Sequence, residues 1–232
     1  MTEQSYHQFC PVAMAAEILC TRWTVVLLRE FIAGSTRFNE LRRGLPRISP
    51  ALLSQRLKEL EAAGVVERRP VEREPGVFEY GLTEAGRELQ PLIEGFGRWG
   101  QRWIASELSL QNLDATLLMW DMRRNVRIDP PPPSRRVVQV RFPDAAARER
   151  QWWLVVTPDA CVDLCKIDPG FDVDLYVNAE LRAMTAIWMG LLPFAEALRD
   201  ERILLTGDRV IAEAFPSWLA LSPFAAQPRM VA

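Results

Sequence analysis

The stretch Ser49–Leu60, SPALLSQRLKEL, constrains the fold of this chain more than any other. Ser49 is a natural helix N-cap, and Pro50 takes the first helical position, where no backbone amide is needed. Leu53, Leu57 and Leu60 recur at helical spacing and make one apolar stripe. Ala51, Ser54, Gln55 and Lys58 collect on the opposite side, which carries only small, amide or basic residues near its centre. Such a helix buries a narrow seam and offers hydrogen-bonding groups with room for close approach.

Its neighbours supply the context. Pro11–Phe31 reads as a helix or a broken helix, apolar on one side and ended by Gly34. STRFNELRRGLP reads as a short helix capped by Ser35 or Thr36, with Glu40 available for a capping interaction and Gly44 as the stop. Gly64 ends the Ser49 helix, and Val65–Arg69 and Val77–Leu82 then read as strands around a turn rich in charge, Pro and Gly. Thr83 caps a long last helix, whose Leu89, Ile93, Phe96, Trp99 and Trp103 continue an apolar stripe to Ile104. Helix, short helix, tight turn, helix, hairpin is the order of a winged helix-turn-helix.

In that setting the outer face of the Ser49 helix fits a DNA major groove. Gln55 can pair with adenine, Ser54 can serve several bases, and Ala51 can rest against a thymine methyl. Lys58 suits a phosphate, as do Arg37 and Arg43 on the preceding helix. The DNA-facing set is therefore Arg37, Arg43, Ser49, Ala51, Ser54, Gln55 and Lys58, with Arg73 from the wing. The same residues also read as an ordinary amphipathic surface helix; the adjoining short helix and hairpin favour DNA. The whole-chain net charge of −2 predicts neither nucleic acid nor membrane as partner. From Arg37 to Arg73, however, the basic residues outnumber Glu40, Glu59, Glu61, Glu67 and Glu72.

Other chemistries are poorly served. The start, MTEQSYHQFC, lacks a basic residue before an apolar run, so it does not read as a secretory signal. No segment reaches the roughly 18 uncharged apolar residues of a membrane span. His7 is the single histidine, which excludes a zinc finger and a histidine-based triad; no catalytic role, metal or cofactor is expected. Four cysteines in a chain of 232 residues make no disulfide framework and suit a reducing cytoplasm. Cys161 and Cys165 fall on one side of a strand and read as core residues.

Taken together, CPVAMAAEILCTRWTVVLLRE, RFNELRRGLPRISPALLSQRLKELEAAGVVERR and YGLTEAGREL resemble the HxlR-type transcriptional regulators, relatives of the MarR winged helices. The resemblance runs from about Cys10 to Trp103 and implies a homodimer built on the first helix and the helix after the wing. Two recognition helices would then read a pseudo-palindromic operator in double-stranded DNA. It also implies that Cys10 is a candidate sensor of oxidants or electrophiles, the alternative being a structural cysteine that packs the first helix. The family often has Gly-Gly-Lys where this chain has Cys20, Thr21 and Arg22, and an arginine where it has Val77. Glu72 and Glu74 repel phosphate, leaving Arg73 as the contact from the wing tip.

Beyond Gln111 the character changes. Leu113–Met122 reads as an amphipathic helix, and RIDPPPPSRR is a break that no helix or central strand tolerates. RVVQVRF, QWWLVV, CVDLCKI and FDVDLYVN read as strands, Ala179–Met189 and Phe194–Arg199 as helices, RILLTGD as a last strand and Arg209–Leu219 as a closing helix. The expected fold class is α+β: a DNA-binding and dimerisation domain over 1–110, then a domain over 111–232 with a single sheet covered by helices. VDLYVNAELRAMTAIWMG and ILLTGDRVIAEAFPSWL resemble the sterol carrier protein type-2-like domain. That resemblance implies an apolar small-molecule ligand held between sheet and helices, a helix entered at Asn178, and a Gly207-Asp208 turn opening the last helix. Trp153, Trp188, Met189, Phe194 and Trp218 would line the cavity, or simply fill the core. The reading is a dimeric regulator modulated by that ligand. Two alternatives stay open: a carrier or enzyme using the winged helix only to dimerise, and a redox regulator acting through Cys10.

Overall fold

The structure, a computed structural model, describes residues 5–72 and 74–231. They divide into two compact units, Met1–Gly97 and Arg98–Ala232.

In the first unit, α1 (Pro11–Leu19) and α2 (Thr24–Ile32) are separate helices bent by 81°. The break is at Trp23, whose φ of 80° places a bulky residue in the left-handed region. No single helix among the described residues is long and apolar enough to cross a membrane. Next come α3 (Phe38–Gly44) and α4 (Pro50–Ala62), then the antiparallel wing of β1 (Val66–Pro70) and β2 (Phe78–Leu82). The core collects Leu27, Leu28 and Phe31 of α2, Leu41 of α3, and Leu53, Leu57 and Leu60 of α4. Each fully buried leucine contributes roughly 1.5–3 kcal/mol.

Three local expectations change. The cap of α3 is Arg37 rather than Ser35 or Thr36; the Glu40 carboxylate reaches back to accept from the Thr36 and Arg37 amides at 2.9 and 3.0 Å. Gly44 is the last residue of α3, not a left-handed stop, and its role is close approach. A Cβ there would lie 1.9 Å from Cδ of Glu30, a fully buried carboxylate. That carboxylate is ion-paired with Arg29 and accepts from Ser35 Oγ, while Arg29 also donates to the Gly44 carbonyl at 2.9 Å. Thr83 does cap a helix, accepting from Gly86 N, but only the short α5 (Glu84–Glu88). A new helix, α6 (Gln90–Trp103), begins at Gln90-Pro91 because proline has no amide to continue the ladder.

The second unit holds α7 (Ser106–Gln111) and α8 (Ala115–Asn125), then β3 (Arg136–Arg141), β4 (Gln151–Val156), β5 (Val162–Cys165) and β6 (Leu175–Ala179). It ends with α9 (Leu181–Trp188), α10 (Phe194–Arg199), β7 (Ile203–Gly207) and α11 (Arg209–Trp218). The sheet order is β5-β4-β3-β6-β7, with β3 and β6 parallel and the other pairs antiparallel. Val138, Val140, Trp152, Leu154, Leu175 and Val177 point to one face, where Met119, Met184, Ile211 and Phe215 of the helices join them in one core. This is the α+β arrangement expected, a single sheet with a helical layer.

Asn178 is not the helix cap; it lies in β6, which continues to pair through Ala179↔Ile203. The cap of α9 is Glu180, and Asp144 from the β3–β4 connection satisfies the first amide, Leu181 N, at 3.1 Å. The Gly207-Asp208 turn is as expected. Asp208 accepts from Val210 N and Ile211 N, and Gly207 has φ +140° with the Asp174 carbonyl 2.3 Å from where a Cβ would sit. Cys161 is exposed and precedes β5, so it is not a core residue; its carbonyl instead closes a tight turn with Thr157 N at 3.0 Å.

Candidate nucleic-acid interface

The face opposite the buried leucines of α4 is open. Ser49 Oγ accepts from Leu52 N at 3.2 Å, so its side chain is occupied in starting the helix. Ala51, Gln55 and Lys58 are exposed and Ser54 is half-buried. The structure thus brings these side chains together on one helix as the spacing requires. It adds Glu59, exposed on the same helix, whose carboxylate accepts from Gln55 Nε2 at 2.9 Å and is ion-paired with Arg56. Arg56 Nε also donates to the Arg22 carbonyl at 3.1 Å, tying α4 to the α1–α2 turn. Lys58 makes no ion pair among the described residues.

Arg37 stands elsewhere than a free phosphate contact would. Its guanidinium holds Glu74 of the wing turn in two hydrogen bonds, 2.7 and 3.2 Å, and lies 3.4 Å from Glu79 of β2. The Glu74 pairing raises the Arg37 pKa, and the same bonds hold the Glu74 carboxyl below its ordinary range. With Tyr80 N donating to the Thr36 carbonyl at 2.8 Å, the residues before α3 become a third edge of the wing. Arg43 is exposed in the last turn of α3, where a cation complements the helix dipole. Arg73 lies outside the described residues.

Arg68 adds a basic group that the spacing of the helices does not reveal. On β1 its guanidinium sits 3.5 Å over the Phe78 ring, presenting a basic group from the wing at low entropic cost. Arg68 lies opposite Tyr80 in the hairpin register and diagonal to Phe78, a juxtaposition that the order of residues alone does not reveal.

At the start of α1, Cys10 is the N-cap, and the backbone amides of Ala13 and Val12 lower its thiol pKa, although its side chain makes no capping hydrogen bond. Apolar side chains crowd the exposed surface around it, with Phe9 98% and Val12 76% exposed. The outer face of α6 is equally open, Phe96 being 60% and Trp99 61% exposed.

In the second unit the proposed cavity residues part company. Trp188, Phe194 and Trp218 are half-buried against the main core, and Phe215 fills the space between the last two, with ring centroids at 6.1 and 6.3 Å. Met189 caps α9, and its carbonyl accepts from Gln101 Nε2 at 3.1 Å. Trp153 follows Trp152 on β4 and therefore points to the other face of the sheet, away from those four. There it is buried, and its indole N–H has no hydrogen-bond partner among the described residues. Among the described residues, no group of three His, Cys, Asp or Glu is placed to hold a metal ion.

Comparison with known proteins locates the likeness. The HxlR-like helix-turn-helix family matches residues 18–108. An uncharacterised HTH-type transcriptional regulator of Bacillus subtilis, YvaP, is 39% identical over 98 residues, which is 42% of this chain and 91% of that protein. A second from the same organism, YdeP, is 39% identical over 94 residues, 40% of this chain and 73% of the relative. Among solved structures, the reduced form of the redox regulator HypR is 38% identical, with a TM-score of 0.38, covering 40% of this chain and 91% of that one. None of these three reaches beyond 42% of this chain.

Proposed function

The chain belongs to the HxlR-like helix-turn-helix family of transcriptional regulators, and on that premise we propose that it binds a pseudo-palindromic operator in double-stranded DNA as a cytoplasmic homodimer. The observation that carries this is α4: a leucine seam buried to within 2% exposure beneath an outer face of Ala51, Ser54, Gln55 and Lys58. In this reading Gln55, Ser54 and Ala51 meet base edges and Lys58 and Arg43 meet phosphates. Ser49 places its backbone at the groove while its hydroxyl caps the helix. Arg37 reaches a phosphate by exchanging it for Glu74, and Arg73 and Arg68 contact the backbone from the wing. The exposed apolar faces of α1 and α6 supply the dimer contact, since such patches on a monomer mark an interaction site.

The second domain, 111–232, is proposed to hold an apolar small molecule in the manner of the sterol-carrier-like domains. Trp188, Phe194, Trp218 and Met189 would contact the ligand from the helical side, whereas Trp153, on the opposite face of the sheet, would not line that space. Ligand would shift the operator affinity by its differential affinity for the two states. A redox reading is favoured by the lowered pKa of the Cys10 thiol, to which the backbone amides of Ala13 and Val12 contribute.

Selection from a random DNA library tests the core of this reading. The purified full chain should enrich one pseudo-palindromic site at moderate salt. Enrichment of no sequence would remove the regulator reading and leave the winged helix as a dimerisation scaffold.

A further inference from the structure

A cavity of about 800 Å³ opens in the first unit between the N-terminal segment, α1, the α1–α2 turn and the flank of α4. We propose that this cavity binds a small organic ammonium ion, and that its occupant competes with operator DNA for Gln55. The volume lies within the roughly 300–1,000 Å³ usual for small-molecule sites. Tyr6, Glu17, Thr21, Gln55, Arg56 and Glu59 supply its polar lining.

The charges in that lining are unequal. Glu59 is neutralised by Arg56, whose guanidinium is also anchored to the Arg22 carbonyl. Among the described residues no Lys or Arg is ion-paired with Glu17: Ser5 Oγ and Tyr6 N both donate to its Oε1 at 2.8 Å, and His7 lies close enough to favour its charge. Those two bonds favour the ionised carboxylate. The cavity therefore carries a carboxylate without a Lys or Arg ion pair among the described residues, and the exposed Tyr6 contributes to the same lining; carboxylate and aromatic side chain are the two groups that recognise ammonium ions. An anion would meet Glu17 directly and find Arg56 already engaged. Ile18, Ala16 and Ala63 add apolar surface for a short hydrocarbon body.

Coupling to DNA follows from Gln55, which lines the cavity and donates to Glu59 at 2.9 Å. A molecule seated there draws on the side chain that the proposed function assigns to a base, so each ligand weakens the other by the same factor. This coupling rests on that assignment; the ammonium site itself does not.

The test uses the full chain, phenethylamine as probe and 2-phenylethanol as its uncharged analogue, at constant ionic strength. Titration calorimetry without DNA should show the amine binding at least about tenfold more tightly than the alcohol. Glu17→Gln should remove that preference while melting at the wild-type temperature, and Ala63→Trp, which closes the cavity from α4, should abolish binding of both probes. Saturating amine should weaken binding of the selected operator about fivefold or more in wild type and not in Glu17→Gln. Equal binding of amine and alcohol, or an unaltered preference in Glu17→Gln, overturns the site. Amine binding with no effect on operator affinity overturns the competition. Amine binding by a protein that enriches no DNA sequence leaves the site standing and defeats the operator reading instead.

Discussion

Gln55 and Lys58 lie less than one turn apart on α4 and meet different surroundings. The Gln55 amide is oriented by Glu59, whereas Lys58 projects into solvent without an ion pair among the described residues. An oriented amide suits a bidentate contact with one base, and a mobile ammonium suits a phosphate. Gln55→Ala should therefore lose about 1–3 kcal/mol of discrimination at one base pair of the selected operator. Lys58→Ala should weaken all sequences alike and lower the slope of log affinity against log salt by about one. Binding titrations on the operator and single-mismatch variants separate the two, and identical behaviour of the mutants would refute the division of roles. The exposed face and the Ser49 cap were legible from spacing because helical periodicity and capping are local. The partners of Arg37 were not, since Glu74 lies 37 residues away in a turn whose position depends on the hairpin register.

Between elements, one glycine sets how closely α3 approaches α2. The Glu30 carboxylate fills the space a side chain at position 44 would take, and Arg29 bridges Glu30 to the Gly44 carbonyl. Gly44→Ala must displace a buried ion pair, and we expect a loss of at least about 2 kcal/mol in denaturant unfolding of the full chain. A change under about 0.5 kcal/mol would mean that Glu30 has another place to go. The helical pattern marked Gly44 as a stop, which is the commoner use of glycine at that position. A close approach leaves no trace in the pattern because the second party, Glu30, belongs to a different helix. Likewise the first amide of α9 is satisfied not by its cap residue Glu180 but by Asp144, a residue distant in sequence from the helix it serves. The run after Thr83 reads as one helix because its apolar spacing continues across Pro91; the chain instead divides it into α5 and α6 at Gln90-Pro91.

For the whole molecule, the family likeness and the proposed division at 110/111 make a direct prediction. The segment matched by YvaP amounts to 91% of that relative, whose chain therefore holds little beyond the matched region. Residues 1–110 should accordingly fold, dimerise through α1 and α6, and bind the selected operator within about threefold of the full chain; a free-energy difference under about 1 kcal/mol is the scale of an absent direct contact. Sedimentation and operator titration measure both, and a monomer would refute the assignment of the α1 and α6 faces. Sequence by itself determined the succession of α3, α4 and the wing hairpin in the first half and of the strands and closing helices in the second, the apolar seam of α4, the cap at Ser49, and the single layer of strands. Those features are governed by periods of 3.6 and 2 and by hydrogen bonds a few residues long, all of which are present in a local stretch of chain. Tertiary structure alone decided which of two adjacent tryptophans on β4 joins the helical core, because both are apolar and the pleat sends one to each face. It also decided that Arg37 braces the wing and that Gly44 makes way for Glu30, since each depends on a partner brought close only when distant segments pack.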